Sequence, residues 1–111
     1  MARFLHRAIP AAERKAFLHD FLIADYDAAL GTIFTSVSKA ASELMPQEFA
    51  QLTVPTLLVA GEFDKIIPAD MGRQAAALND KVEFVVIPNT AHFPMLEDMA
   101  IYLKQVREFL Q

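Results

Sequence analysis

The hydrophobic and polar positions of the chain divide it into a helical first half and a second half in which strands and helices alternate. In the first half, apolar residues recur at helical spacing over residues 11–24 and again over residues 26–42. Asp25 is the predicted N-cap of the second helix, and Gly31 predicts a kink or break within it. A further short turn of helix is predicted at residues 47–52.

Two short, continuous apolar runs change the pattern after residue 52. They occupy residues 54–60 and 82–87, and each ends at a turn-forming residue, Gly61 or Pro88. Continuous runs of this length are typical of strands buried on both faces, and therefore of a parallel sheet covered by helices. Residues 69–78 and 97–110 have helical patterns. The order strand, helix, strand, helix predicts a right-handed β-α-β unit followed by a covering helix.

Composition narrows the classes of function. The chain has 111 residues, of which 54% are hydrophobic and 22% charged, as expected of a folded domain and not of a disordered chain. The net charge is −4 and the sequence contains no basic stripe, so no nucleic-acid partner is predicted. It has no cysteine, which excludes disulfides and thiol chemistry. Because no targeting signal and no apolar run of ~20 residues is found, we predict a cytoplasmic protein without a membrane partner.

The residues that could carry chemistry lie after the two predicted strands. Asp64 lies in the loop after the first strand, and His92 lies in the loop after the second. Parallel strands end at the same edge of a sheet, about 4.8 Å apart, so these loops can bring the two side chains together. A carboxylate that accepts a hydrogen bond from one imidazole nitrogen leaves the other nitrogen free to act as a base.

Simpler interpretations of the same residues stay open. Taken alone, the aspartate is typical of a turn, and the histidine could cap a helix or lie in an ordinary loop. Glu62 and Glu97 are predicted to order loops or to be charges at a helix N-terminus. A metal site that joins Glu62 to the Asp–His pair matches no ligand spacing, so we predict no metal and no cofactor. His6 and His19 are predicted on helices, at the surface.

Two segments of the second half resemble one known family. The run VPTLLVAGEFD at residues 54–64 resembles the penultimate strand and acid turn of α/β-hydrolases, and the run NTAHFPMLE at residues 89–97 resembles their histidine loop. The resemblance implies that Asp64 is the acid and His92 the general base of a Ser-His-Asp triad. The family usually has glycine before the histidine. Here that residue is Ala91, which would be strained if the position required a positive φ.

The resemblance also implies an organisation for the whole chain. It implies a partial α/β-hydrolase fold, with a cap-like helical segment at residues 1–51 and a β-α-β-α part of the core at residues 52–111. The Gly-x-Ser-x-Gly turn that exposes the family's nucleophile does not occur in the sequence, and Ser36, Ser38 and Ser42 lack the flanking glycines. No nucleophile is therefore assigned, and the resemblance implies the C-terminal portion of a longer fold.

Two functions follow as expectations. In the first, the chain hydrolyses a small ester, amide or lactone when the missing N-terminal portion completes it. In the second, it is a catalytically inactive, truncated relative that serves as a binding or assembly module. A different nucleophile, as in the dehalogenase and lyase branches of the family, is a third option. The missing strands would leave an apolar strand edge, and the mean hydropathy is +0.26, so we predict a homo-oligomer or a partner chain that supplies those strands.

Overall fold

The structure is a computed structural model, and it describes residues 4–36 and 39–111. Helices come first, and strands then alternate with helices, as the sequence pattern predicts. The elements are α1 (Ala11–Ile23), α2 (Tyr26–Ser36), α3 (Lys39–Ala50), β1 (Thr56–Gly61), α4 (Ala69–Ala76), β2 (Val82–Ile87), α5 (Pro94–Glu97) and α6 (Met99–Leu110). The predicted α/β class is therefore confirmed.

The two strands form a parallel pair, as predicted. Thr56 pairs with Val82 at one end and Gly61 pairs with Ile87 at the other, so both strands end at the same edge. Helix α4 connects the strands and packs against both, and α6 packs against β2. The predicted start of the first strand at residue 54 is wrong. The ladder begins one residue after Pro55, because proline has no N–H to donate.

The helices of the first half agree with the sequence pattern except at two places: α2 ends at residue 36 and not near residue 42, and α3 runs through Pro46. The predicted N-cap at Asp25 is confirmed, since its Oδ1 accepts a hydrogen bond from the backbone N–H of Ala28 at 2.8 Å. Helix α2 ends at residue 36, while Val37 and Ser38 lie outside the described residues. The separate helical turn predicted at residues 47–52 is wrong. Pro46 lies inside α3, because a proline removes one backbone hydrogen bond without obliging the helix to end.

The last helix, predicted at residues 97–110, is α6 and begins two residues later, while the short helix α5 ahead of it was not predicted. Asp98 separates α5 from α6, with an extended φ of −147°. Its Oδ1 accepts a hydrogen bond from the backbone N–H of Ile101 at 3.2 Å and so caps α6. Glu97 is the last residue of α5 and an acidic residue of its single turn, one residue ahead of the Asp98 cap.

The buried core is small and centres on β2 and the loop that follows it. Among the described residues, the buried hydrophobic side chains are Ile9, Val82, Ile87 and Ala91. Many large apolar side chains stay exposed, including Leu22 at 85%. No helix in the described part of the chain is both long and apolar enough to cross a membrane.

Candidate functional site

The loops that follow the two strands continue to pair after the strands have ended. The backbone N–H of Glu62 donates to the carbonyl of Ile87 at 3.1 Å, and that of Phe63 donates to the carbonyl of Thr90 at 2.8 Å. We call residues 61–68 the acid loop and residues 88–97 the histidine loop. Their backbones are hydrogen-bonded to each other, so the position of one loop determines the position of the other.

Asp64 lies at the turn of the acid loop with both carboxylate oxygens engaged. Its Oδ1 accepts hydrogen bonds from the backbone N–H groups of Ile66 at 2.8 Å and Ile67 at 3.0 Å. Its Oδ2 lies 2.9 Å from Nδ1 of His92. The two peptide groups thus fix the carboxylate and leave Oδ2 facing the imidazole. The structure brings the two predicted site residues into direct contact.

The environment of Asp64 favours its ionised form. Burial raises the pKa of this carboxyl, but the hydrogen bonds from Ile67, His92 and Ile66, together with the positive charge that the imidazole carries when it is doubly protonated, outweigh it and lower the pKa below its ordinary value of 3.8. An ionised carboxylate can only accept a hydrogen bond, so Nδ1 of His92 carries the proton that lies between the two groups. This fixes the tautomer in which Nε2 has a free lone pair.

His92 is held at the edge of an aromatic cluster. Phe4 lies edge-on to the imidazole, with ring centroids 5.7 Å apart, and Phe93 lies edge-on at 5.0 Å. Phe17 of α1 packs against Phe93 at 5.0 Å, which connects the first helix to the histidine loop. The His92 side chain keeps 24% of its surface exposed. A base with a fixed tautomer and an accessible ring can accept a proton from a hydroxyl group or from water.

The histidine loop turns at Asn89 and not at Ala91. Among the described non-glycine residues, Asn89 alone has a positive φ, of 56°, and asparagine tolerates that conformation well. Its backbone N–H donates to Oε2 of Glu62 at 2.9 Å, so Glu62 orders the loop as predicted. Ala91 is therefore not in the left-handed region, and the strain considered for it from the sequence does not arise.

Gly61 allows the two loops to approach closely. A Cβ atom at this position would lie 1.8 Å from the carbonyl oxygen of Ala91. Thr90, which is fully buried, anchors the same stretch by donating from its hydroxyl to the carbonyl of Ile87 at 2.9 Å. A residue with a side chain at position 61 would therefore push the histidine loop away from the acid loop.

The role of Glu97 could not be predicted from the sequence. Its side chain is 7% exposed, and it accepts hydrogen bonds from three backbone N–H groups, those of His6, Arg7 and Ala91. His6 itself lies in a bend ahead of α1, so its predicted place on a helix is wrong, although it is exposed as expected. The local sequence offered only an acidic residue after the apolar run at residues 93–96, and two of its three partners, His6 and Arg7, lie about 90 residues away.

Other candidate groups are not brought into the site. Among the described residues, no cluster of three His, Asp or Glu side chains is placed to hold a metal ion. His19 lies on α1, exposed and 3.7 Å from its neighbour Asp20. The side chains of Ser36, Ser38 and Ser42 lie outside the described residues.

Two solved structures are similar to part of the chain. One is a serine hydrolase involved in carbazole degradation, with a TM-score of 0.56 and 29% sequence identity over 59% of this chain. The other is a thermophilic esterase from Thermogutta terrifontis, with a TM-score of 0.54 and 33% identity over 63% of this chain. The chain spans 25% and 24% of the lengths of these two proteins. No curated protein matches it.

A sequence model of one family matches most of the chain. The model describes the alpha/beta hydrolase fold, and it matches residues 20–99. This range contains both strands, the acid loop and the histidine loop. The chain therefore belongs to the α/β-hydrolase fold family.

Proposed function

We propose that the chain supplies the acid and the base of a serine hydrolase that acts on a small ester, amide or lactone. The 2.9 Å contact between Oδ2 of Asp64 and Nδ1 of His92, at the carboxyl ends of two parallel strands, carries the proposal. The similar structures support it, because one is a serine hydrolase and the other an esterase. The serine nucleophile and the oxyanion hole come from the rest of the fold.

In this proposal, His92 moves the protons and Asp64 orients it. Nε2 takes the proton of the serine hydroxyl as its oxygen attacks the substrate carbonyl, and the imidazole becomes doubly protonated. Asp64 remains ionised and stabilises that cation across the Nδ1–Oδ2 hydrogen bond. Nε2 then gives the proton to the leaving group. A water molecule, deprotonated by the same nitrogen, releases the acyl group from the serine.

The proposal assigns different roles to the two parts of the chain. Residues 52–111 are part of the hydrolase core, and residues 1–51 are a cap-like helical segment over it. Within the described residues, β1 pairs with β2 alone, so the ladder groups on its other edge remain available to a further strand. We propose that the missing strands of the core add to this edge, from a second copy or from a partner chain. The cytoplasmic location stays a prediction.

Hydrolysis of p-nitrophenyl acetate tests the catalytic proposal. The rate is measured for the wild-type chain, for His92→Ala and for His19→Ala, each alone and together with any partner that co-purifies. His19 is a matched control, because it also lies beside an aspartate but is exposed. We expect turnover to vanish in His92→Ala and to persist in His19→Ala. Equal rates above background in the wild type and His92→Ala, measured with the partner present, would contradict the proposal.

The second candidate is a binding or assembly module without chemistry. The exposed apolar side chains favour it, among them Val54 at 58% and Met71 at 58%. A groove of about 500 Å³ between α3, β1 and α4 is lined by apolar residues such as Phe49 and Leu58. A complex in light scattering, with no esterase activity in any sample, would favour this module. A well-folded monomer in dilute buffer would contradict the proposed strand addition.

A further inference from the structure

The chain ahead of α1 lies across the histidine loop. We call residues 4–7 the N-terminal strap. The carbonyl oxygen of Phe4 accepts a hydrogen bond from the backbone N–H of His92 at 2.9 Å. The Phe4 ring lies against the imidazole of His92 and, at 6.0 Å, against Phe93. The strap thus contacts both the main chain and the side chain of the proposed base.

Glu97 joins the strap to the loop. Its Oε1 accepts from the backbone N–H groups of His6 and, at 2.8 Å, Arg7, which belong to the strap. Its Oε2 accepts from the backbone N–H of Ala91 at 2.8 Å, immediately before His92. One carboxylate therefore holds two segments that are far apart in sequence.

The charge of Glu97 makes these bonds stronger than ordinary backbone hydrogen bonds. A buried carboxylate must be compensated, and here three peptide N–H groups meet its charge. The guanidinium of Arg7 binds Asp98 instead, at 2.7 Å. The backbone N–H of Ala91 is thus bound by the carboxylate of Glu97, and that of His92 by the carbonyl oxygen of Phe4.

We infer that Glu97 is a positioning residue, which fixes the imidazole of His92 against Asp64 by clamping the N-terminal strap to the histidine loop. This inference rests on the proposed function for its catalytic meaning. The claim that Glu97 orients the imidazole of His92 toward Asp64 can be tested without it. A purely structural role for Glu97 would lower the stability of the fold and leave the Asp64–His92 hydrogen bond unchanged.

The tautomer of His92 distinguishes the two roles. Glu97→Gln keeps the shape of the side chain but turns one acceptor into a donor, which must then face a backbone N–H. Long-range ¹H–¹⁵N spectra, recorded in alkaline buffer where imidazole is neutral, report which ring nitrogen carries the proton. We expect the ratio of the Nδ1–H to the Nε2–H form to fall about tenfold, as for the loss of roughly one hydrogen bond to a charged group.

Glu108→Gln is the matched control, because it removes the same charge from an exposed position on α6. We expect it to leave the His92 tautomer as in the wild type. If Glu97→Gln folds, lowers the urea midpoint and keeps the wild-type tautomer ratio, Glu97 is structural and the inference is overturned. Glu97→Asp, which retains the charge with a shorter reach, is expected to give an intermediate ratio.

Hydrogen exchange of the wild-type chain provides a test that needs no variant to fold. If one clamp holds both segments, the amides of His6, Arg7, Ala91 and His92 are protected and open together, with similar exchange rates. Exchange of the His6 and Arg7 amides at the rate of an unstructured peptide, beside a protected Ala91 amide, would overturn the inference. Hydrogen exchange does not depend on esterase activity. A failure of the proposed function in the His92→Ala assay can therefore be distinguished from a failure of this inference.

Discussion

The three glycines of the chain form a series in which the same substitution has different, predictable effects. At Gly61, an added Cβ would lie 1.8 Å from the carbonyl oxygen and 2.7 Å from the carbonyl carbon of Ala91, and 2.9 Å from the carbonyl oxygen of Thr90. All three atoms are backbone. An unstrained C···O contact is about 3.3 Å, so the histidine loop must retreat by roughly 1.5 Å.

That displacement is larger than the loop can absorb without losing bonds. The hydrogen bond from Phe63 to Thr90, 2.8 Å long, lies at the same point and is lost first. Overpacking costs about 1–3 kcal/mol and each lost backbone hydrogen bond about 1 kcal/mol, so we expect Gly61→Ala to lower the free energy of unfolding by about 3 kcal/mol. The same retreat moves His92 away from Asp64.

Two controls lie at the other glycines. At Gly31, in α2, no described atom outside the helix's own nearby backbone lies within 4 Å of the added Cβ, so Gly31→Ala is expected to stabilise the fold by about 0.5–1 kcal/mol. At Gly72, in α4, the Cβ meets the ring of Phe84 at 2.7 Å, and a side chain can move where a backbone cannot. We expect Gly72→Ala to fall between the other two. Urea unfolding followed by far-UV circular dichroism measures all three, and equal midpoints for Gly61→Ala and Gly31→Ala would refute the reasoning.

Four further predictions concern single side chains. The pKa of Asp64 is lower in the folded state than the ordinary value of 3.8. Its ionised carboxylate therefore stabilises the fold above pH 3.8, and this stabilisation is lost as the pH falls through the folded-state pKa. Asp64→Asn should make the urea midpoint decline less steeply in acid. Asp98→Ala removes both the cap of α6 and the partner of Arg7, and should cost about 1–2 kcal/mol. Arg7→Ala, at a side chain 46% exposed, should cost about 0.2–1 kcal/mol in the same urea unfolding series. Asn79→Ala breaks a 2.8 Å bond to the carbonyl of Leu52 and should cost about 1–3 kcal/mol in urea; a wild-type midpoint would contradict this.

The strands and the contact between the two site residues could be predicted because local rules determine them. The apolar run at residues 82–87 predicts where β2 begins and ends, because Pro88, which follows it, cannot continue a ladder. Two parallel strands that end together place their loops side by side. The positions of Asp64 and His92 in those loops, together with the resemblance of the flanking segments to the family, were therefore enough to predict that the two side chains meet.

The features that the sequence did not reveal depend on distant or competing contacts. Two of the three partners of Glu97 are the peptide groups of residues 6 and 7, and a backbone N–H has no signature in a sequence. Pro46 is a signal for the end of a helix, but α3 continues through it. The start of the last helix depended on which of two adjacent acidic residues caps it. Asp98 is the cap because its short side chain reaches the backbone N–H three residues ahead.

The backbone pairing between the acid loop and the histidine loop has a consequence for engineering. Both halves of the Asp64–His92 pair lie between β1 and the histidine loop, and the N-terminal strap that contacts His92 lies on the same chain. A hydrolase divided ahead of the strap would therefore keep the pair and its clamp on a single fragment. Such a breakpoint suits a split-enzyme reporter, in which ester turnover returns only when the fragment that bears the nucleophile docks beside β1.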